Sequence, residues 1–392
     1  MKKFNKFLSV AVASAMVMAM AGCGNTDNGS AATGTNAATE SAAASDSAAS
    51  GSVFKIGGIG PTTGGAAVYG LAVQHGAEIA VEEINAAGGI NGYQVEFKFQ
   101  DDEADAEKSV NAYNALKDWG AQIIDGSTTS GACIAVTDKT KEDNMFQITP
   151  SGSAVECVQY DNNFRVCFSD PNQGLASAQY IGENGLAEKI AVIYDSSDVY
   201  SSGIYEKFVK EAENQPFEVV AAEAFTADNK TDFSVQLQKA KDAGADMVFL
   251  PIYYQESALI LTQAAAMGYA PKWFSCDGMD GILGGVDNFD VSLTEGVMLL
   301  TPFAADATDD LTQSFVTKYK EKYGETPNQF AADSYDAIYV IKAAIEKSGV
   351  TPDMSVSDIC DGMKAAMTEI TVDGLTGNGM TWTADGEANK AP

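Results

Sequence analysis

Short apolar runs alternate along the chain with longer segments in which apolar residues recur at helical spacing. Residues 53–60 form an apolar run that predicts a strand, and residues 65–87 carry the helical spacing up to the glycine pair 88–89. The alternation continues to about residue 148 and starts again near residue 171. Strands alternating with helices of this length are typical of parallel sheets covered by helices on both faces. The pattern therefore predicts an α/β fold with two doubly wound parallel-sheet lobes.

The other predicted elements follow from the same alternation. The strands cover residues 93–100, 121–124, 145–148, 189–194, 217–225, 247–250, 273–275 and 297–301. The helices cover residues 105–119, 131–141, 171–187, 200–214, 232–243, 255–267, 308–323, 329–347 and 355–367. The pattern gives no strand or helix between residues 149 and 170.

The first fifty residues have a different character. Three lysines precede an apolar run over residues 7–21, which is shorter than the roughly 20 residues of a membrane-spanning helix and is typical of a signal peptide. The run ends in Met20-Ala21-Gly22-Cys23, which resembles a bacterial lipobox, so we expect a signal peptide at 1–22 and a lipid on Cys23. The alternative is an ordinary secretory signal with a chance cysteine.

A polar linker follows the cysteine. Of the 29 residues from 24 to 52, 26 are Gly, Ser, Ala, Thr or Asn, a composition that cannot bury enough apolar surface to offset the entropy lost on ordering. Residues 23–52 are therefore predicted to be a lipidated cysteine and a flexible tether. The folded body is expected to be extracytoplasmic and lipid-anchored to the cell membrane.

Composition excludes several classes of function. The chain has 54 acidic and 24 basic residues and a formal net charge of −30, which disfavours nucleic acids and anionic membrane surfaces as partners. One histidine, His75, does not suffice for a metal centre built on several imidazoles, and it lies within the first predicted helix, far from any nucleophile motif. The glycines of residues 57–65 have neither the dinucleotide spacing nor a phosphate-binding lysine. We therefore expect no enzyme activity, no metal and no cofactor.

Five cysteines follow Cys23, and none forms a C-x-x-C pair. Scattered thiols within the core are the favoured interpretation. A Cys157–Cys167 disulfide is the alternative.

Ligands of open parallel sheets lie beyond the carboxyl ends of the strands, against helix N-termini. Two such loops, 126–131 and 149–154, are rich in hydroxyl groups and contain no Lys or Arg, so they favour a carboxylate held by N–H and O–H groups. Simple helix capping is the alternative for either loop. In the second series, Asp277 follows a predicted strand and could pair with an ammonium group. Three tyrosines also fall at strand-to-helix loops or in first helical turns: Tyr69, Tyr200 and Tyr253.

Several motifs resemble those of one known family, over about residues 53–388. They are Gly60-Pro61-Thr62-Thr63-Gly64 with Tyr69-Gly70, Ile84-Asn85-Ala86-Ala87-Gly88-Gly89-Ile90-Asn91-Gly92, Thr129-Ser130-Gly131, Ile148-Thr149-Pro150-Ser151, Asp195-Ser196-Ser197-Asp198-Val199-Tyr200, Tyr335-Asp336-Ala337 and Gly374-Leu375-Thr376-Gly377. Together they resemble the Leu/Ile/Val-binding proteins of ABC transporters, which are type I periplasmic-type binding proteins.

The resemblance implies a role for each candidate residue. It implies that the α-carboxylate of an amino acid is held by serines matching Ser130, Ser151 and Ser153. The ammonium group would be held by the acid matching Asp277, with Tyr200 and Tyr253, and Tyr69 would flank the side-chain pocket. Arg165 matches an arginine near a crossover between the lobes, for which a structural role is favoured. Some relatives carry Glu at the position of Asp277, so the shorter side chain of Asp277 withdraws the anion by about one methylene group.

The resemblance also implies the domain organisation. The N-terminal lobe would comprise residues 53–170 and 300–378, and the C-terminal lobe residues 171–299 and 379–392. The hinge would consist of three crossings, near residues 168–172, 299–302 and 376–386.

The predicted function is capture of an amino acid with an uncharged, branched-chain side chain and its delivery to ABC permease subunits, by a monomer. Three alternatives remain: a protein of the same fold for another small polar solute, such as an amide or an aromatic amino acid; a sensor subunit; and an extracytoplasmic amide or peptide hydrolase.

Overall fold

The computed structural model describes residues 51–390. The predicted signal peptide, the lipidated Cys23 and the linker up to residue 50 lie outside the described residues. Within residues 51–390, no helix combines the length and the apolar character needed to cross a membrane.

Ten strands form two separate five-stranded sheets. The first sheet contains β1 (Phe54–Gly60), β2 (Val95–Asp101), β3 (Ile123–Asp125), β4 (Phe146–Thr149) and β5 (Asn163–Arg165). The second contains β6 (Lys189–Asp195), β7 (Glu218–Phe225), β8 (Met247–Leu250), β9 (Lys272–Ser275) and β10 (Met298–Leu299). Their orders are β2-β1-β3-β4-β5 and β10-β9-β8-β6-β7, and all pairings are parallel. All residues of β4 and β8 are buried, as expected for central strands covered by helices on both faces.

Eleven α-helices connect and cover the sheets in the described part of the chain. They are α1 (Ala67–Ala86), α2 (Ala106–Trp119), α3 (Ser130–Asp143), α4 (Asp170–Glu183), α5 (Val199–Ala212), α6 (Ser234–Asp242), α7 (Tyr254–Ala266), α8 (Ile282–Gly285), α9 (Asp310–Tyr323), α10 (Gln329–Ser348) and α11 (Val356–Met367). Helix α10 packs along α1 and reaches β3 and β4, so the chain returns to the first sheet after β10. The predicted α/β fold of two doubly wound parallel-sheet lobes is confirmed.

Several local predictions need correction. Strand β5 lies in the interval for which the sequence pattern gives no element, because it has only three residues and two of them are polar or charged. The strand predicted at 297–301 contains only Met298 and Leu299. A short antiparallel hairpin of β11 (Thr381–Trp382) and β12 (Ala388–Asn389) was also not predicted. Elements of two or three residues are too short to carry a readable hydrophobic period.

The hairpin packs beside the end of the first sheet. The Trp382 Nε1 group donates to the Arg165 carbonyl at 2.8 Å, and the Arg165 amide donates to the Gly386 carbonyl at 3.1 Å. Lys390 lies 3.4 Å from Asp333 of α10 and donates to Thr376 at 2.9 Å. These contacts attach the segment after residue 379 to elements of the first sheet; the lobe bounds themselves stay a prediction.

All five cysteines among the described residues are free and buried, as the sequence favours, and the alternative Cys157–Cys167 disulfide is absent. His75 stacks on Tyr323 with ring centroids 3.6 Å apart, so it is a packed helical residue.

Candidate functional site

One small cavity collects every side chain for which the sequence predicts ligand contact. Its walls contain Tyr69, Ser130, Ser151, Ser153, Tyr200, Tyr253 and Asp277, together with Thr128, Thr129, Gly278 and Phe330. The predicted residues follow the carboxyl ends of β1, β3 and β4 in the first sheet and of β6, β8 and β9 in the second. The loops at these ends meet in one cleft. The cavity has about 240 Å³ of empty space.

The first sheet supplies a wall of hydroxyl and N–H groups. Ser130 is the first residue of α3, where the unpaired N–H groups and the dipole of the helix favour an anion. Its Oγ atom accepts from the amides of Ser153 and Ala154, each at 3.1 Å. Ser151 donates to the Thr128 carbonyl at 2.5 Å. The buried Thr129 hydroxyl has no hydrogen-bond partner among the described residues, so it is available to an occupant.

The second sheet supplies a buried carboxylate. Asp277 is 5% exposed and begins a 3₁₀ turn immediately after β9 and Cys276. Its Oδ1 atom accepts from the Tyr200 hydroxyl at 2.6 Å and from the Gly278 amide at 2.7 Å, and its Oδ2 atom accepts from Gln173 Nε2 at 2.9 Å. Burial raises the pKa of Asp277 to about 6 although these three bonds lower it. With a pKa of about 6 the Asp277 carboxylate is ionised at neutral pH. Its three hydrogen-bond partners are neutral, so its charge is uncompensated and attracts a cation.

Aromatic rings close the space between these two walls. Tyr200 and Tyr253 stack with ring centroids 5.1 Å apart. The Tyr69 ring meets Tyr253 edge to face, with centroids 5.4 Å apart, and the centroid of Phe330 lies 4.5 Å from that of Tyr69. The rings offer apolar surface to a side chain, and ring faces also attract ammonium groups.

Tyr69 joins the two halves of the site. It lies in the first turn of α1, whereas its hydroxyl donates to the Gly278 carbonyl and accepts from the Tyr254 amide at 3.1 Å. Gly278 and Tyr254 follow strands of the second sheet. The hydroxyl is therefore a hydrogen-bonded bridge between the loops of the two sheets.

Sequence reasoning did not assign five contributors to the site. Phe330 lies in the first turn of α10, which follows no strand, and Gln173 lies in α4 and reaches Asp277 only through the fold. Thr128 and Thr129 lie within the predicted loop 126–131, and Gly278 directly follows Asp277, so all three could have been found from their neighbours in sequence. Among the described residues there is no cluster of three or more His, Cys, Asp or Glu side chains suited to a metal ion.

The chain was compared with known proteins. A family model described as periplasmic binding protein matches residues 53–391. The Leu/Ile/Val-binding protein homolog 3 of Brucella melitensis is 31% identical over 300 residues, which are 76% of this chain and 80% of the relative. The leucine-, isoleucine-, valine-, threonine- and alanine-binding protein of Pseudomonas aeruginosa is 30% identical, over 75% of this chain and 78% of the relative.

A solved structure gives the same picture. The branched-chain amino acid transporter substrate binding protein LivJ from Streptococcus pneumoniae, in complex with isoleucine, has a TM-score of 0.74 and 28% identity and covers 86% of this chain and 94% of its own. Proteins of this family are extracytoplasmic substrate-binding components of transporters. The chain therefore belongs to the type I periplasmic binding protein family, whose members include the Leu/Ile/Val-binding proteins.

Proposed function

We propose that the protein captures a small amino acid with an uncharged, branched-chain side chain and delivers it to the permease of an ABC importer. The observation that carries the proposal is one cavity with N–H and O–H groups on the first sheet and the Asp277 carboxylate on the second. The two walls match the two charged ends of an amino acid. The names of the relatives and the isoleucine complex of the similar structure support the same ligand class.

Ser130, Ser151 and Ser153 hold the α-carboxylate in this proposal, and Asp277, Tyr200 and Tyr253 hold the ammonium group. Tyr69 and Phe330 contact the side chain. Asp277 is the only ionised group that lines the cavity in the described structure, so a second carboxylate on the ligand would lack a cation.

Closure of the cleft couples binding to transport. A ligand that contacts both sheets stabilises the closed form, and binding is then a shift of population from open to closed molecules. The closed form presents a joint surface of both lobes to the permease. The protein acts as a monomer held to the membrane by the lipid on Cys23.

The direct test is titration calorimetry of the mature chain, without its lipid, against single L-amino acids and small amides. We expect binding of leucine, isoleucine or valine and none of aspartate, glutamate, lysine or arginine. Binding of an amide or an aromatic amino acid, with failure of all aliphatic amino acids, would contradict the proposed ligand class.

Binding should weaken as the pH falls through about 6. The raised pKa of Asp277 means that the ligand-free site takes up a proton near pH 6, and the protonated carboxyl group cannot pair with the ammonium group. Affinity should therefore fall by up to about tenfold per pH unit below about pH 6 and stay level above it. Calorimetry between about pH 5 and pH 8 measures the effect.

The control for the pH series is 4-methylpentanoate, which has the side chain and carboxylate of leucine but no ammonium group. Its binding leaves an ionised Asp277 uncompensated, so its affinity should rise as the pH falls through the same range. Burial also raises the pKa values of four nearby carboxyl groups, those of Asp170, Asp198, Asp280 and Asp333. A parallel response of both ligands would assign the titration to those groups instead.

Tyr69→Phe should weaken amino-acid binding by about 10- to 30-fold, because it removes the hydroxyl that bridges the two sheets and leaves two buried backbone groups without a partner. Tyr113→Phe is the matched control, because its hydroxyl bonds Asp143 at 2.7 Å, away from the cavity. Calorimetry gives the affinities, and small-angle scattering of the ligand-free variant should show a more open molecule. Equal affinities of the variant and the wild type would exclude Tyr69 as a bridge.

A further inference from the structure

Arg165 is the only arginine of the chain. It lies behind the first-sheet wall of hydroxyl and N–H groups and does not line the cavity. It ends β5, and its side chain is fully buried. Its Nη1 atom donates to the carbonyls of Gly152 at 3.1 Å and Ser153 at 2.6 Å, and its Nη2 atom donates to the Ala154 carbonyl at 2.9 Å. Its Nε atom lies 3.3 Å from a Glu387 carboxylate oxygen.

The carbonyl contacts of Arg165 hold two consecutive peptide units, and the Asp170 amide also donates to the Ser153 carbonyl, at 2.9 Å. The Gly152 carbonyl and the Ser153 amide belong to one planar unit, and the Ser153 carbonyl and the Ala154 amide belong to the next. In a trans peptide the C=O and N–H groups point in opposite directions. With both carbonyls on Arg165, both amides point to the other side, where each donates to Ser130 Oγ at 3.1 Å.

The Ser130 hydroxyl group is left with one unused hydrogen-bonding capacity, that of a donor. A hydroxyl group has two acceptor sites and one donor, and both acceptor sites are occupied by the two amides. The Ser130 hydroxyl is therefore free only to donate. In the ligand-free site its nearest acceptor is Ser153 Oγ, at a long 3.5 Å, so a ligand oxygen can replace this contact at little cost.

We propose that Arg165 is a positioning residue that makes Ser130 an obligatory hydrogen-bond donor, and that this arrangement selects a ligand with a carboxylate. The guanidinium acts through two peptide units and never touches the ligand. The selection of a carboxylate ligand rests on the proposed amino-acid function. The hydrogen bonds by which Arg165 holds the two peptide units, here called the clamp, rest on the structure alone. Lysine cannot replace the arginine, because an ammonium group lacks the planar fork that holds several carbonyls in fixed directions.

The experiment compares L-leucine with L-leucinol, which has a hydroxymethyl group in place of the carboxylate, on the mature chain. Arg165→Lys should weaken leucine binding by about 10- to 100-fold, the value of a hydrogen bond to a charged group, and leucinol binding by less than about threefold. The double variant of Arg165→Lys with Ser130→Ala should lose less affinity for leucine than the product of the two single losses, because Arg165 and Ser130 act on the same carboxylate. Glu387→Gln, which leaves the carbonyl contacts in place, is the control and should keep the wild-type ratio of affinities.

Two outcomes would overturn the proposal: equal losses for leucine and leucinol in a folded Arg165→Lys variant, or a double variant whose loss equals the product of the two single losses. Hydrogen exchange of the ligand-free wild type tests the clamp even if Arg165→Lys fails to fold or leucine proves not to bind. The amides of Ser153 and Ala154 should then be as protected as that of Gln147 in β4, and rapid exchange of both would refute the clamp. Protected amides in a wild type that binds no amino acid would refute the proposed function and leave the clamp intact.

Discussion

Asp277→Asn should weaken amino-acid binding by at least about 100-fold, because loss of one partner from a buried ion pair leaves the other charge unpaired. The substitution keeps the shape of the side chain. Its remaining oxygen can still accept from Tyr200 and Gly278, which both bond Oδ1, and the Gln173 amide can rotate to face the new NH₂ group. Calorimetry with L-leucine measures the loss.

The fold itself should tolerate this change. Burial of the Asp277 charge among neutral partners raises its pKa to about 6, so removal of the charge should leave the melting temperature of the ligand-free protein unchanged or higher. Asp287→Asn, on an exposed aspartate ten residues further along the chain, is the matched control and should bind within about threefold of the wild type. Wild-type affinity of Asp277→Asn would rule out Asp277 as the ammonium partner. A lower affinity with a collapsed melting temperature would point to a structural role.

Ser130→Ala should weaken binding of a carboxylate ligand by about 10- to 100-fold. The change removes a donor to the ligand and also leaves the Ser153 and Ala154 amides without their acceptor. Binding of leucinol, which carries no carboxylate, should change far less. The ratio of the two affinities, measured by calorimetry, therefore separates a lost ligand contact from a general disturbance of the loop.

Ser109→Ala is the matched control for this serine. Ser109 is also buried and bonds the Ser127 hydroxyl at 2.6 Å, but it does not line the cavity. It should lower the stability of the protein and leave both affinities within about threefold of the wild type. If Ser130→Ala behaves in the same way as Ser109→Ala, the carboxylate is not held at the start of α3.

The positions of the seven candidate residues were predictable because the topology of parallel sheets is simple. Once β3, β4, β8 and β9 are recognised from their apolar runs, the loops after them have to meet at the carboxyl ends of the strands. The resemblance to a known family then selects individual serines within those loops. The structure places all seven residues on one cavity; their roles toward a ligand remain the predictions tested above.

Other contributors could not be predicted, because they depend on contacts between distant parts of the chain. Gln173 reaches Asp277 across 104 positions in sequence, and Phe330 enters the site from the first turn of a helix that follows no strand. For Arg165, a structural role was the favoured interpretation from sequence. Its contacts with the loop at 152–155 depend on the pairing of β5 with β4, and β5 is too short to be recognised from its pattern.

The alternation of apolar runs and helical segments by itself determined the fold class and the loops that carry the site, because hydrophobic period and strand direction are local properties of the sequence. Only the tertiary structure decided how the two walls face each other, how Tyr69 bridges them and which way the Ser130 hydroxyl points. Those features depend on the packing of the loops of one sheet against those of the other and on the orientation of two peptide units. Neither the packing nor the orientation is encoded in any short stretch of residues.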